Sequence, residues 1–192
     1  MYKKEGWDIE HIDSHKENGL KNDKDRNEYL KASILGLSDS EDDIKIKGDV
    51  KAFLDKTNGR DDKEFNRLRD ELNHENGGNK LVGEEKDKIW NFALLDSGTN
   101  RGYKNAPFPA KRRIIIGKDQ GIQYVVDDSL EVKPQKGASA FIPPCTRNAF
   151  MKYYSVGANI IREWNKDDAR DYKKNIELVL NKFDILDSEP NV

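Results

Sequence analysis

The chain has 192 residues, enough for one ordinary domain or two small ones. Its 34 Lys and Arg nearly balance 36 Asp and Glu, charged residues make up 36% against 35% hydrophobic, and mean hydropathy is −0.95. No apolar run approaches the ~18 residues a membrane span needs, residues 1–6 lead into no apolar leader segment, and the single cysteine, Cys145, excludes an internal disulfide and a zinc site built on cysteine pairs. A cytoplasmic, folded chain with long solvated helices is the expectation.

Charge is unevenly placed. Residues 38–43, Ser-Asp-Ser-Glu-Asp-Asp, are acidic, whereas 97–118 holds no acid and carries Arg101, Lys104, Lys111, Arg112, Arg113 and Lys118. Such a stretch is either a solvated basic face or a surface for an acidic partner.

Along the chain, residues 7–12 alternate Trp7, Ile9 and His11 against Asp8, Glu10 and Ile12, the pattern of a short strand. Helical stripes follow over about 24–36 (Tyr29, Leu30, Ile34, Leu37), 43–57 (Ile46, Val50, Phe53, Leu54) and 61–74 (Phe65, Leu68, Leu72). Residues 20–88 thus read as a helical insertion. The apolar segment 89–95 suits a second strand, and Asp96, Ser97 and Thr99 offer caps for a short polar helix carrying Asn100 and Lys104. Pro107 and Pro109 interrupt it, a helix near Ala110 carries the basic triplet, and 122–126 fits strand or helix equally. Helices are expected over about 146–154, after Pro143-Pro144, and over 167–183 with Tyr172, Ile176, Val179, Leu180 and Phe183 on one face.

Three elements carry candidate chemistry: Glu10-His11-Ile12 ending the first strand, Asn91, and Asn100-Arg101-Gly102 with Lys104, Asn91 and Asn100 being nine positions apart. A neutral histidine, with a reference pKa of about 6.5, can take a proton from water at neutral pH. Read alone, His11 beside Ile9 and Ile12 is a buried strand histidine. A carboxylate-His-Ile strand followed by two such asparagines, however, resembles the HNH, or His-Me finger, nucleases. The longer phrases Trp90-Asn91-Phe92-Ala93-Leu94-Leu95, Phe141-Ile142-Pro143-Pro144-Cys145-Thr146-Arg147-Asn148, and Trp164 through Phe183 are similar to the nuclease domain of GmrSD-type, type IV modification-dependent restriction proteins.

The resemblance implies an α+β fold, mostly helical, around a small ββα-metal core, the whole of 1–192 forming one nuclease domain with the insertion at about 20–88 between the two motif strands. It implies a metal-dependent DNA endonuclease or nickase of a bacterial restriction or anti-phage system. His11 would be the general base, and Asn91 would brace the loop that holds it. Glu10 and Asn100 would bind one Mg²⁺ or Mn²⁺ ion, oxygen donors suiting hard cations, and Asp8, on the strand face of Glu10, is the reserve ligand. Arg101, Lys104, Lys111 and Arg112 would follow the DNA backbone. It further implies an N-terminal NTPase-like partner domain; with no glycine-rich phosphate loop here, this chain itself is not expected to hydrolyse nucleotide. Two departures stand out: 80 residues separate His11 from Asn91, and Glu10 and Asn100 stand where Asp and His are common. An inactive nucleic-acid-binding module and a helical protein-interaction domain are the competing expectations.

Overall fold

Hydrogen bonding between two strands that lie far apart in sequence sets the frame. The computed structural model of the chain describes residues 6–14, 20, 22–56, 59, 61–73, 79–98, 106–155 and 161–183. In it β1 (Trp7–His11) pairs antiparallel with β2 (Phe92–Asp96), in a register from Trp7↔Asp96 to His11↔Phe92. The fold is α+β and mostly helical, with this hairpin and a second one, β3 (Ile122–Val126) with β4 (Val132–Lys136), among the described residues. Residues 122–126, undecided from sequence, are therefore a strand. Asp127 shapes its turn, its Oδ1 accepting from Ser129 N and Glu131 N at 2.9 Å each.

Between β1 and β2 run α1 (Asp23–Ser33), α2 (Glu41–Asp55) and α3 (Asp62–Leu72), close to the expected spans. Each starts where a polar side chain can satisfy an open backbone N–H: Asn22 accepts from Asp25 N, Ser40 from Asp43 N and Asp61 from Lys63 N. Asp43, within the acidic stretch, is itself only 1% exposed. Its carboxylate accepts from Ser38 N and from the Arg162 guanidinium, so part of that stretch is internal scaffold and not solvated charge.

The rest of the chain supplies α4 (Phe108–Asp119), α5 (Pro144–Phe150) and α6 (Lys166–Asn181). Two apolar clusters result. One gathers Ile12, Ala93, Leu95, Phe108, Ile115 and Phe150 with Trp164 and Tyr172 beneath the first hairpin. The other gathers Leu30, Ile34, Val50, Phe53, Phe65 and Leu68 within the insertion, closed by Leu130. Leu130 takes a positive φ of 60° to reach it, a conformation that costs an L-residue roughly 1–2 kcal/mol; burial to 1% exposure offsets that cost.

The clusters meet where the 3-10 turn Ile34–Gly36 crosses α4. A Cβ on Gly36 would lie 2.9 Å from Pro109 Cγ and 3.0 Å from Ala110 N, so only glycine permits this approach. At the other end, α6 is fixed by a buried pair: Lys152 Nζ lies 2.6 Å from Asp168 Oδ2, the two side chains being 0% and 2% exposed. Ser155 Oγ and Asn165 N donate to the same carboxylate, which satisfies its remaining lone pairs as a buried charge requires. The apolar stripe expected on this helix reaches the core through Tyr172 and Ile176; Val179 and Phe183 are 44% and 70% exposed, because the helix has by then run past it.

Candidate active site

The alternation of β1 is inverted relative to an ordinary half-buried strand. Trp7, Ile9 and His11 stand on its outer face, where Ile9 is 71% exposed. Asp8 and Glu10 stand opposite Leu95 and Ala93 on the inner face, where those partners are 0% and 5% exposed. Glu10 can face inward because a cation waits there. Lys111, on the inner side of α4, is fully buried and places its ammonium 3.5 Å from Glu10 Oε1.

His11 closes the strand. Its side chain keeps 26% of its exposure, and its ring meets Phe92 edge-on at a centroid distance of 5.0 Å. Nε2 lies 3.0 Å from Asp87 Oδ1, on the 3-10 turn Gly83–Asp87. With a carboxylate accepting from Nε2–H, the neutral ring carries its lone pair on Nδ1.

The loop leaving His11 is bonded at each of its next three residues. Ile12 N donates to Asn91 O at 2.8 Å. The Asn91 side chain, 0% exposed, accepts from Asp13 N at 2.9 Å and donates to Asp13 O at 2.9 Å and Lys86 O at 2.8 Å. One acceptor and two donors arranged like this are what a primary amide offers and a carboxylate lacks. Lys86 Nζ bonds the Asp13 carboxylate at 2.9 Å and Ser14 O at 2.8 Å. From beneath, Lys111 Nζ donates to His11 O and Ser14 Oγ at 2.6 Å each. Burial pushes the Lys111 ammonium down to about 8, the charges of Glu10 and Asp13 opposing that shift and Lys86 adding to it.

The structure therefore brings His11 and Asn91 together across the insertion, with Asn91 on the loop and not on the imidazole. Asn100, Arg101 and Lys104 lie outside the described residues. Lys111 requires a correction. Expected along a DNA backbone, it is sealed inside the protein, holding the main chain of His11. Its neighbours in α4 explain this: Phe108, Lys111 and Ile115 fall at i, i+3 and i+7, one helical face, and both apolar members are core residues. That spacing was present in the sequence. Arg112 is half-buried; burial, then the charge of Arg113, lowers its pKa, and its Nε is buried without a partner. Arg113 lies over the Tyr124 ring, its Cζ 5.6 Å from the centroid. The basic triplet is thus dispersed around α4 and makes no continuous stripe.

Glu10 was expected to bind a metal ion together with Asn100, which lies outside the described residues. Glu10 faces Lys111 on the strand face opposite His11, so as placed the two do not converge on one cation. Among the described residues, no group of three or more His, Cys, Asp or Glu side chains is arranged to hold a metal ion. Lys86 and Asp87, which complete the surroundings of His11, carried no signal in the sequence beyond lying in a charged turn.

Comparison of the chain with protein-family models, with curated proteins and with solved structures finds no match in any of the three. Chemically, the arrangement is a partly exposed imidazole with a carboxylate partner, carried on a backbone fixed by an amide and two lysines. A neutral imidazole held this way can take up a proton from a neighbouring water.

Proposed function

We propose that the chain hydrolyses phosphodiester bonds in DNA, with His11 as general base, as a nuclease of the HNH type its sequence resembles. One observation carries the reading. The loop next to a partly exposed histidine is bonded at Ile12, Asp13 and Ser14 by groups from two distant segments, and the central brace is the asparagine that the resemblance assigns to that task. A buried histidine of purely structural use needs no such fixed approach from solvent. Activity with Mg²⁺ or Mn²⁺, service in a bacterial restriction or anti-phage system, and work beside an NTPase-like domain belong to the same proposal through the resemblance. Arg112 is the described residue of the expected DNA-contact set that retains a partly exposed side chain.

The test is supercoiled plasmid incubated with the protein and Mg²⁺ or Mn²⁺, alongside chelator and His11→Ala. Open-circle or linear product that falls by roughly 10²–10⁴ in rate in the variant supports the proposal, that being the usual contribution of a general base. Cleavage surviving in His11→Ala at the same rate overturns the role of His11. Salt-sensitive DNA binding without cleavage under either ion, unchanged in His11→Ala, identifies a binding module instead.

A further inference from the structure

We infer that Asp87 is the positioning residue of His11, and that Asn91 holds the two halves of this dyad together as a single joint. The inference rests on the reading of His11 as a base and deepens it. His11 and Asp87 are 76 residues apart in sequence, yet Nε2 and Oδ1 lie 3.0 Å apart. Asp87 is 57% exposed, and the backbone that carries it bears on where its carboxylate sits. That backbone is held one residue earlier, where Lys86 O accepts from Asn91 Nδ2 at 2.8 Å. The other contacts of the same amide fix Asp13 N and O, two residues past the imidazole. One buried side chain therefore sets both the histidine-bearing loop and the aspartate-bearing turn. The Lys86 side chain adds a second tie by reaching back to Asp13 and Ser14.

The chemistry follows from the tautomer. With Asp87 accepting from Nε2–H, the lone pair that removes a proton from water is on Nδ1, and the ring cannot turn without breaking a charge-assisted bond. As His11 takes the proton, the carboxylate faces the imidazolium that forms, as in other base–carboxylate pairs.

The experiment reads the tautomer directly. ¹⁵N spectra of the His11 ring are taken about two units above the reference imidazole pKa of about 6.5, in the unaltered protein, Asp87→Ala, Asp87→Asn and the control Glu84→Gln. The unaltered protein, Asp87→Asn and Glu84→Gln should show a protonated Nε2 and a lone-pair Nδ1, since an amide oxygen can still accept. Asp87→Ala should show a mixture of the two tautomers, with its melting curve unchanged. Nicking by Asp87→Ala should fall on the order of 10–100-fold in kcat with KM unmoved, by analogy with metal-bound histidines deprived of their orienting partner. An Nδ1–H tautomer in the unaltered protein, or the same tautomer in Asp87→Ala, overturns the inference. If the tautomer shifts while no form of the protein cleaves DNA, the dyad stands and the nuclease reading fails.

Discussion

Replacing Lys111 by methionine tests the electrostatics of the site without reference to any substrate. In the folded protein burial brings this ammonium from 10.5 down to about 8; in the unfolded chain it titrates near the ordinary value of about 10.4. Between those limits the unfolded state binds the extra proton, so folding stability rises with pH, by up to about 1.4 kcal/mol per unit. From pH 8 to 9.5 this amounts to about 1.6 kcal/mol, the slope at pH 8 being half its limit, and it is little reduced by solvent because the side chain is 0% exposed. The window must end there. Tyr29 and Tyr172, both pushed up to about 12 mainly by burial, ionise earlier in the unfolded chain and lower stability at higher pH. The assay is urea unfolding at pH 7.0, 8.0, 8.75 and 9.5, with the slope of stability against pH as the readout. A rising slope in the unaltered protein and a flat one in Lys111→Met is the expected pair. Equal slopes in the two proteins would show that the ammonium is hydrated, contrary to its placement under β1.

Other substitutions probe the remaining joints. Asn91→Ala leaves Asp13 N and two carbonyls without their partner, and each unpaired buried group costs about 1–3 kcal/mol; thermal unfolding should fall by several degrees, and nicking with it, whereas a wild-type melting curve would mean that the amide is not a brace. Lys152→Met strands the Asp168 carboxylate, and the loss of roughly 3–5 kcal/mol expected for a broken buried pair should be visible by denaturant unfolding; an unchanged midpoint would show that the pair is not buried. Gly36→Ala forces a methyl group against Pro109 and Ala110 N; a cost of about 1–3 kcal/mol is expected for overpacking, and a neutral result would show that the turn and α4 are less closely packed.

Much of the architecture was legible because periodicity and capping act locally. The stripes Tyr29–Leu30–Ile34 and Phe65–Leu68–Leu72 place α1 and α3 without knowledge of what covers them, and both stripes are buried. Pairing of β1 with β2 was legible only through the resemblance, since nothing local tells a strand which partner will return 80 residues later. Two features escaped for opposite reasons. β4 contains Pro134 and three charged or amide side chains that are exposed, so it is held by its hairpin register and not by an apolar face. Lys111 was misread because its charge and its basic neighbours outweighed its position on an apolar helical face. Asp87 could not be found at all: its role depends on a distance between segments that only the folded chain defines.

The closeness of Ile12 N and Asn91 O, 2.8 Å across the whole insertion, bears on the order in which the molecule assembles. Closing a disordered loop of that length costs about 4 kcal/mol in chain entropy, more than a two-stranded ribbon of five residues per strand can offset by itself. A prefolded insertion, with its own apolar cluster, shortens the free chain that must be closed. The fixed placement of His11 beside Asp87 then depends on the three helices between β1 and β2, which have to compact before the two strands can close.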